Sequence, residues 1–278
     1  MADCCGTPND FPVVNPESSG GKPVEIIAGP SIGVEDLSDA DTFRFRISYS
    51  PYVDLLATLS LVAKEAGVAK SNPVLKGTVI DTVELDWTYN KVVTSQTLTN
   101  TGGLTPPTLD PSDLDHDYTS QTITSDITFT ISGNDGNGQP GSVDTDQKSI
   151  LFGNNMILGN TTNFNLQPTT SFLTAISGFT KIVKTARTHT YFATGGANQH
   201  HYVIYPKAWG LGTFTKGIFE GGYVRLKNVA GTLKQTLGEG DVESDIMITN
   251  EKGHSEAYYV YMTLYDNQND AVTPFELS

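Results

Sequence analysis

The residues whose types and spacing could do chemistry in this 278-residue chain are a few histidines and one acidic loop. His189, His200 and His201 fall in segments rich in β-branched and aromatic residues, and imidazoles on neighbouring strands can converge on a transition metal. Adjacent residues of a strand project to opposite faces, so His200 and His201 are no single-strand ligand pair. His189 with His200 is the pair to watch, and the expectation is that no metal is bound. DPSDLDHDY (110–118) sets Asp113, Asp115 and Asp117 at alternate positions, the hard oxygen donors that calcium takes. The central Gly and terminal Glu of a helix-loop-helix calcium loop are missing, and a solvated loop is the expectation. NDGNG (134–138) is explained by turn geometry, and His116 and His254 lie in polar loops.

Catalytic signatures are missing. There is no G-x-S-x-G elbow, no H-E-x-x-H, no phosphate loop and no dinucleotide fingerprint. The reading is a protein that is not an enzyme and takes no cofactor. Cys4 and Cys5 are adjacent and the only cysteines, which excludes a disulfide framework, and no second Cys or His pair lies nearby to complete a tetrahedral zinc site.

The net charge of −14 and the lack of a Lys/Arg run disfavour nucleic acid, and no stretch approaches the roughly 20 apolar residues of a membrane helix. Gly, Pro, Thr, Ser, Asn and Asp are abundant, the vocabulary of short strands joined by tight turns. An all-β fold follows: an extended N-terminal arm, an immunoglobulin-like β-sandwich and a second, C-terminal β-sandwich.

Residues 1–23 read as the arm, with Pro8, Pro12, Pro16 and Pro23 among Gly, Ser and Asn. Phe11, Val13 and Val14 form its one apolar cluster and are the anchors expected to dock on a partner. Residues 24–71 hold short strands and a connector, with Phe43, Phe45 and Ile47 alternating against Arg44, Arg46 and Ser48. Residues 52–68 suit a helix by their Leu, Ala, Lys and Glu content, or a strand by the alternation Leu59, Leu61, Ala63; the β-rich surroundings favour the strand.

The sandwich is expected over 72–160. Val83, Leu85, Trp87 and Tyr89 lie on one face of a strand, and Ile127, Phe129 and Ile131 on one face of another. A Trp among several short strands suggests the immunoglobulin type without its disulfide. Residues 161–278 carry more strands rich in β-branched and aromatic residues. In EAYYVYMTLY, Tyr258, Val260, Met262 and Leu264 face one way, and Tyr259, Tyr261 and Tyr265 the other, so the strand is apolar on both faces. Either the strand is central in a sandwich, or its Tyr259, Tyr261 and Tyr265 face meets another subunit or, less favoured, a glycan, with Trp209 as a further glycan contact.

ELDWTYNK, TSQTLTN, YTSQTITSDITFTISGNDG and SILFGNNMILG resemble, in that order, the immunoglobulin-like domain of bacteriophage tail and baseplate proteins; Met156 and Ile157 stand where aromatics are usual. HHYVIYPKAWGLGTF and ITNEKGHSEAYYVYMTLYDN resemble the C-terminal domain of the same proteins, with a Tyr-rich strand entering a Pro-x-x-x-Gly turn. The resemblance implies a structural subunit of a phage virion in the tail, neck, baseplate or fibre. Such a subunit is expected to be made in the host cytoplasm, to reside in the virion, to dock by its arm on other virion proteins and to form a homo-oligomer, with a trimer favoured. The alternative it leaves is a host-receptor or carbohydrate-binding module that recognises a host surface glycan.

Overall fold

Period-two alternation dominates the observed elements. The computed structural model describes residues 32–36, 45–49, 53–161, 169–193, 199–215, 222–263 and 273–277. The expected arm, with Phe11, Val13 and Val14, lies outside these residues, as does Tyr265. Two compact units divide the chain at residues 54 and 55. In the first, β1 (Ile32–Asp36) pairs antiparallel with β2 (Phe45–Tyr49), in register from Ile32↔Tyr49 to Asp36↔Phe45.

The second unit opens with β3 (Ala57–Glu65), so the ambiguous segment is a strand. Its helix formers are overridden by pairing with β6 (Thr82–Tyr89), residue against residue from Ala57↔Tyr89 to Lys64↔Thr82. Leu59 and Ala63 turn into the core while Thr58 and Ser60 stay exposed. With β4 (Val68–Ala69) and β8 (Asp115–Tyr118) these strands make a four-stranded sheet in the order β4-β3-β6-β8. Facing it are β7 (Ser95–Asn100), β9 (Ile127–Asn134) and β10 (Val143–Ile150), in the order β10-β9-β7.

The sheets β4-β3-β6-β8 and β10-β9-β7 pack face to face over one apolar core, a two-sheet β-sandwich. Between the sheets, Leu59, Leu85, Trp87, Leu98, Phe129 and Ile131 interlock, as the alternation of β6 and β9 predicts. β3, ahead of the boundary expected at 72, belongs to this sandwich. β10 has no apolar alternation to announce it: VDTDQKSI is largely polar, with exposed and part-buried positions up to the buried Ile150. It is a strand because the turn at 135–142 folds it back onto β9, from Asn134↔Val143 to Ile127↔Ile150.

A large mixed sheet forms the rest. β5 (Val74–Leu75) runs parallel to the start of β11 (Phe152–Thr161), which then pairs with β12 (Thr180–Lys184) and β14 (His200–Pro206). Next comes β19 (Ser255–Thr263), with β18 (Ile246–Thr249) and β16 (Tyr223–Val229) along its far side, and β17 (Thr232–Lys234) beyond β16.

Both faces of this sheet are covered by the chain itself. On one, α1 (Thr169–Ile176) presses Phe172 and Ile176 toward Ile157, Tyr202, Ile204 and Val260. That helix was not expected from the sequence. Across the other face lies a three-stranded sheet of β13 (His189–Ala193), β20 (Thr273–Leu277) and β15 (Phe214–Thr215), whose Leu277 and Phe214 meet Met156, Val203, Tyr205 and Tyr261. The C-terminal part is thus a sandwich with a helix on its back.

The sandwich and the large sheet share β11: Phe152 belongs to the sandwich core, and Met156 and Ile157 to the two cores of the large sheet. Polar contacts reinforce the join. Lys252 Nζ reaches both carboxylate oxygens of Glu65 at 2.7 Å, and Asn250 Nδ2 donates to the Lys76 carbonyl at 2.8 Å. Gly77, at φ +92°, lies so close that a Cβ there would come within 2.9 Å of Lys252 Cβ and its carbonyl oxygen.

Candidate functional site

The histidines are placed apart. β13, which begins at His189, pairs with β20 in the small sheet and is no neighbour of β14, so the expected adjacency of His189 and His200 does not occur. His200 and His201 point to opposite faces, as strand alternation requires. His200 Nδ1 is 2.7 Å from the Thr263 carbonyl, and His201 Nδ1 is 2.8 Å from the Tyr223 hydroxyl.

Burial pushes the His201 imidazole down to about 4. The unfolded chain binds this proton first as pH falls through the ordinary histidine value. Stability should therefore drop between pH 6.5 and pH 4, by about 3 kcal/mol if His201 acts alone. Urea unfolding at steps across that window should show the slope, and His201→Asn should flatten it. A His201 NMR titration midpoint near 6.5 would remove the basis for this expectation.

The three aspartates do not converge. Asp113 accepts the Asp110 N–H at 2.7 Å and shapes its own loop. Asp115 and Asp117 lie on the exposed face of β8, opposite Asp86 and Glu84 of β6. This is a ladder of like charges, partly offset by Lys64 against Glu84. Among the described residues no group of three or more His, Cys, Asp or Glu side chains could hold a metal ion. The NDGNG segment is a turn: Asn134 Oδ1 accepts the Gly136 N–H at 2.7 Å, and Gly136 and Gly138 sit at φ +79° and +66°.

The aromatic surface turns mostly inward. Tyr261 is buried within the chain, stacked on Tyr205 at 5.6 Å and edge-on to Phe214 at 5.0 Å, so its ring meets the chain's own residues. Tyr259 is half-buried, with the Arg225 guanidinium 5.3 Å above its ring and Arg225 bonded by both terminal nitrogens to Glu243. Trp209, also half-buried, lies parallel to Tyr205 with ring centres 6.4 Å apart. Among the described residues named for such contacts, Trp209 and Tyr259 stay partly exposed.

Two features escaped the sequence reading. At one end of the sandwich a groove of about 530 Å³ is lined by Tyr89, Val92, Val93, Pro111 and Leu114, with Val92 88% exposed. At the sandwich edge, the Asp144 and Asp146 carboxylates accept the N–H groups of Ala57 and Leu59, each at 2.8 Å. The alternation of Asp144 and Asp146 in VDTDQ was the available signal, legible only once β10 is known to be a strand. Comparisons with protein-family models, curated proteins and solved structures find no match to this chain.

Proposed function

We propose that this protein is a structural subunit of a bacteriophage particle, in its tail, neck, baseplate or fibre, that works by docking and spacing. The observation that carries the reading is the continuity of β11, which begins in the sandwich core and ends as an inner strand of the large sheet. Two β bodies tied by one strand and by the Lys252–Glu65 contacts resist bending between them, which suits a spacer. The motif-level resemblance to phage tail and baseplate domains gives the class of assembly. Exposed Val92 and Leu114 supply apolar surface of the kind a neighbouring subunit covers.

Docking falls to residues 1–23. With four prolines and one small apolar cluster, such a segment gains too little from its own contacts to offset ordering at roughly 1–2 kcal/mol per residue without a partner. Deleting residues 1–23 should leave the melting temperature unchanged and abolish incorporation into particles. The readouts are calorimetry of the purified chain and detection of the protein in purified virions. A large drop in melting temperature, or normal incorporation of the truncated chain, would defeat the docking role.

A second reading, a carbohydrate-binding module, is favoured by one cluster: the part-exposed Trp209 and Tyr259 near Arg225 and Lys207. Part-exposed aromatic rings with polar side chains beside them suit sugar rings. Binding on a glycan array that is lost in Trp209→Ala would select this reading; silence on the array leaves the spacer.

A further inference from the structure

On the side away from β6, β4 pairs with β3 only at Lys64 and Glu65, and at its other end the β3 edge is closed by side chains where a strand would ordinarily pair. β3 bonds to β6 along one side, so the N–H groups of Ala57 and Leu59, at alternate positions, point out of the sheet on the other. They meet Asp144 and Asp146, which are also two residues apart, so β10 runs parallel to β3 with carboxylates standing in for backbone carbonyls. Asp146 is further held by the Gln147 N–H at 2.7 Å and lies 3.5 Å from Lys148 Nζ. The Leu59 N–H, more than any other contact, keeps the Asp146 carboxyl below the usual carboxylate range.

Farther along, the two edges separate into a groove of about 400 Å³ lined by Leu59, Leu61, Ala63, Asn72, Lys148 and Ile150. There the chain supplies other stoppers. Lys70 N–H donates to the Ala63 carbonyl at 2.8 Å, and Asn72 bridges the Ser149 carbonyl and the Leu151 N–H.

The strand so guarded reads ATLSLVA over 57–63. It is uncharged in a chain of net charge −14, rich in β-branched and leucine residues, and free of proline. That is the composition of a segment that pairs with copies of itself when its edge is bare. Over residues 57–61, a stretch that β4 leaves unpaired, an identical segment brought up antiparallel about a two-fold axis would meet it with no charge repulsion and with outward N–H groups opposite carbonyls.

We propose that Asp144 and Asp146 form a latch that occupies the outward amides of β3, and that the surface they mask is a self-association edge whose partner is β3 of a second copy. The latch confines assembly to the chain's other surfaces. A plain backbone pairing of β10 with β3 would also cover the edge; carboxylates do so through two side chains and are removable one at a time.

The test uses the full chain with Asp144→Ala and Asp146→Ala together. Sedimentation velocity should show a concentration-dependent species of higher mass than the unmodified chain forms at the same loading. Hydrogen exchange at the Ala57 and Leu59 amides should accelerate at least tenfold at low concentration. Adding Thr58→Lys, at an exposed position of β3, should return the mass to that of the unmodified chain. The pair Asp144→Asn and Asp146→Asn retains an acceptor oxygen at each position and should keep the latch closed. Should the alanine pair fail to fold, exchange in the unmodified chain decides: Ala57 and Leu59 amides must be protected like their neighbours in the β3–β6 ladder. Unprotected amides there, an unchanged mass in a folded alanine pair, or association that Thr58→Lys leaves untouched would each overturn the proposal.

Discussion

Replacing Trp87 with Ala should destabilise the sandwich by about 3–5 kcal/mol, enough to unfold a marginal domain. Trp87 is 1% exposed and packs between the two sheets with Leu59, Leu85, Leu98, Phe129 and Ile131. Its removal leaves a cavity that rigid strands on both sides cannot close. The indole also does polar work. Nε1–H donates to Gln96 Oε1 at 2.8 Å, and Gln96 Nε2 donates onward to the carbonyls of Asp110 and Asp113. Trp87→Phe would keep much of the apolar contact and orphan the Gln96 oxygen, a loss of about 1–3 kcal/mol. Because Trp209 is the only other tryptophan, a Trp209→Phe background isolates the signal. Native emission should be blue-shifted there. Solvent-like emission, or a Trp87→Ala chain with an unchanged urea midpoint, would contradict this placement of the core.

The second large effect is expected at Gly153, where β11 passes from the sandwich into the large sheet. A Cβ at this position would overlap the Lys184 carbonyl oxygen, and the neighbour is backbone, so it cannot rotate away. Gly153→Ala must push β11 and β12 apart, at a cost of about 1–3 kcal/mol. Gly153 also pairs with Leu75 of β5, so the strain reaches the join to the sandwich. Urea unfolding followed by Trp87 fluorescence should therefore shift together with unfolding followed by far-ultraviolet circular dichroism. If only the circular dichroism transition moves, the two bodies unfold independently and β11 does not couple them.

The alternation of Val83, Leu85 and Trp87, and of Ile127, Phe129 and Ile131, was legible because one face of each strand is wet, and a period of two is then written in the residue types. The turn at 134–138 was legible for a similar local reason: positive φ calls for Gly, and the Asn134 side chain accepts the N–H two residues on, at Gly136. The two-sided burial of β19 also followed from its composition, with Tyr258, Val260 and Met262 on one face and Tyr261 on the other.

Other features were not local. β10 has no apolar pattern, because its side chains answer to the β3 edge and to water. α1 is two turns long and forms because the open face over Tyr202 and Val260 needs Phe172 and Ile176. His189 and His200 looked like neighbours because sequence spacing does not say which sheet a strand joins.

The sequence by itself thus determined the all-β class, the faces of the half-buried strands and the tight turns, since each rests on interactions within a few residues. Only the tertiary structure decided that β3 pairs with β6, that β11 serves two cores, that Tyr261 is covered by the chain's own Phe214 and Tyr205, and that two aspartates close an edge. Those outcomes depend on which apolar faces and unsatisfied backbone groups meet across long stretches of chain, and no short window of residues contains that information.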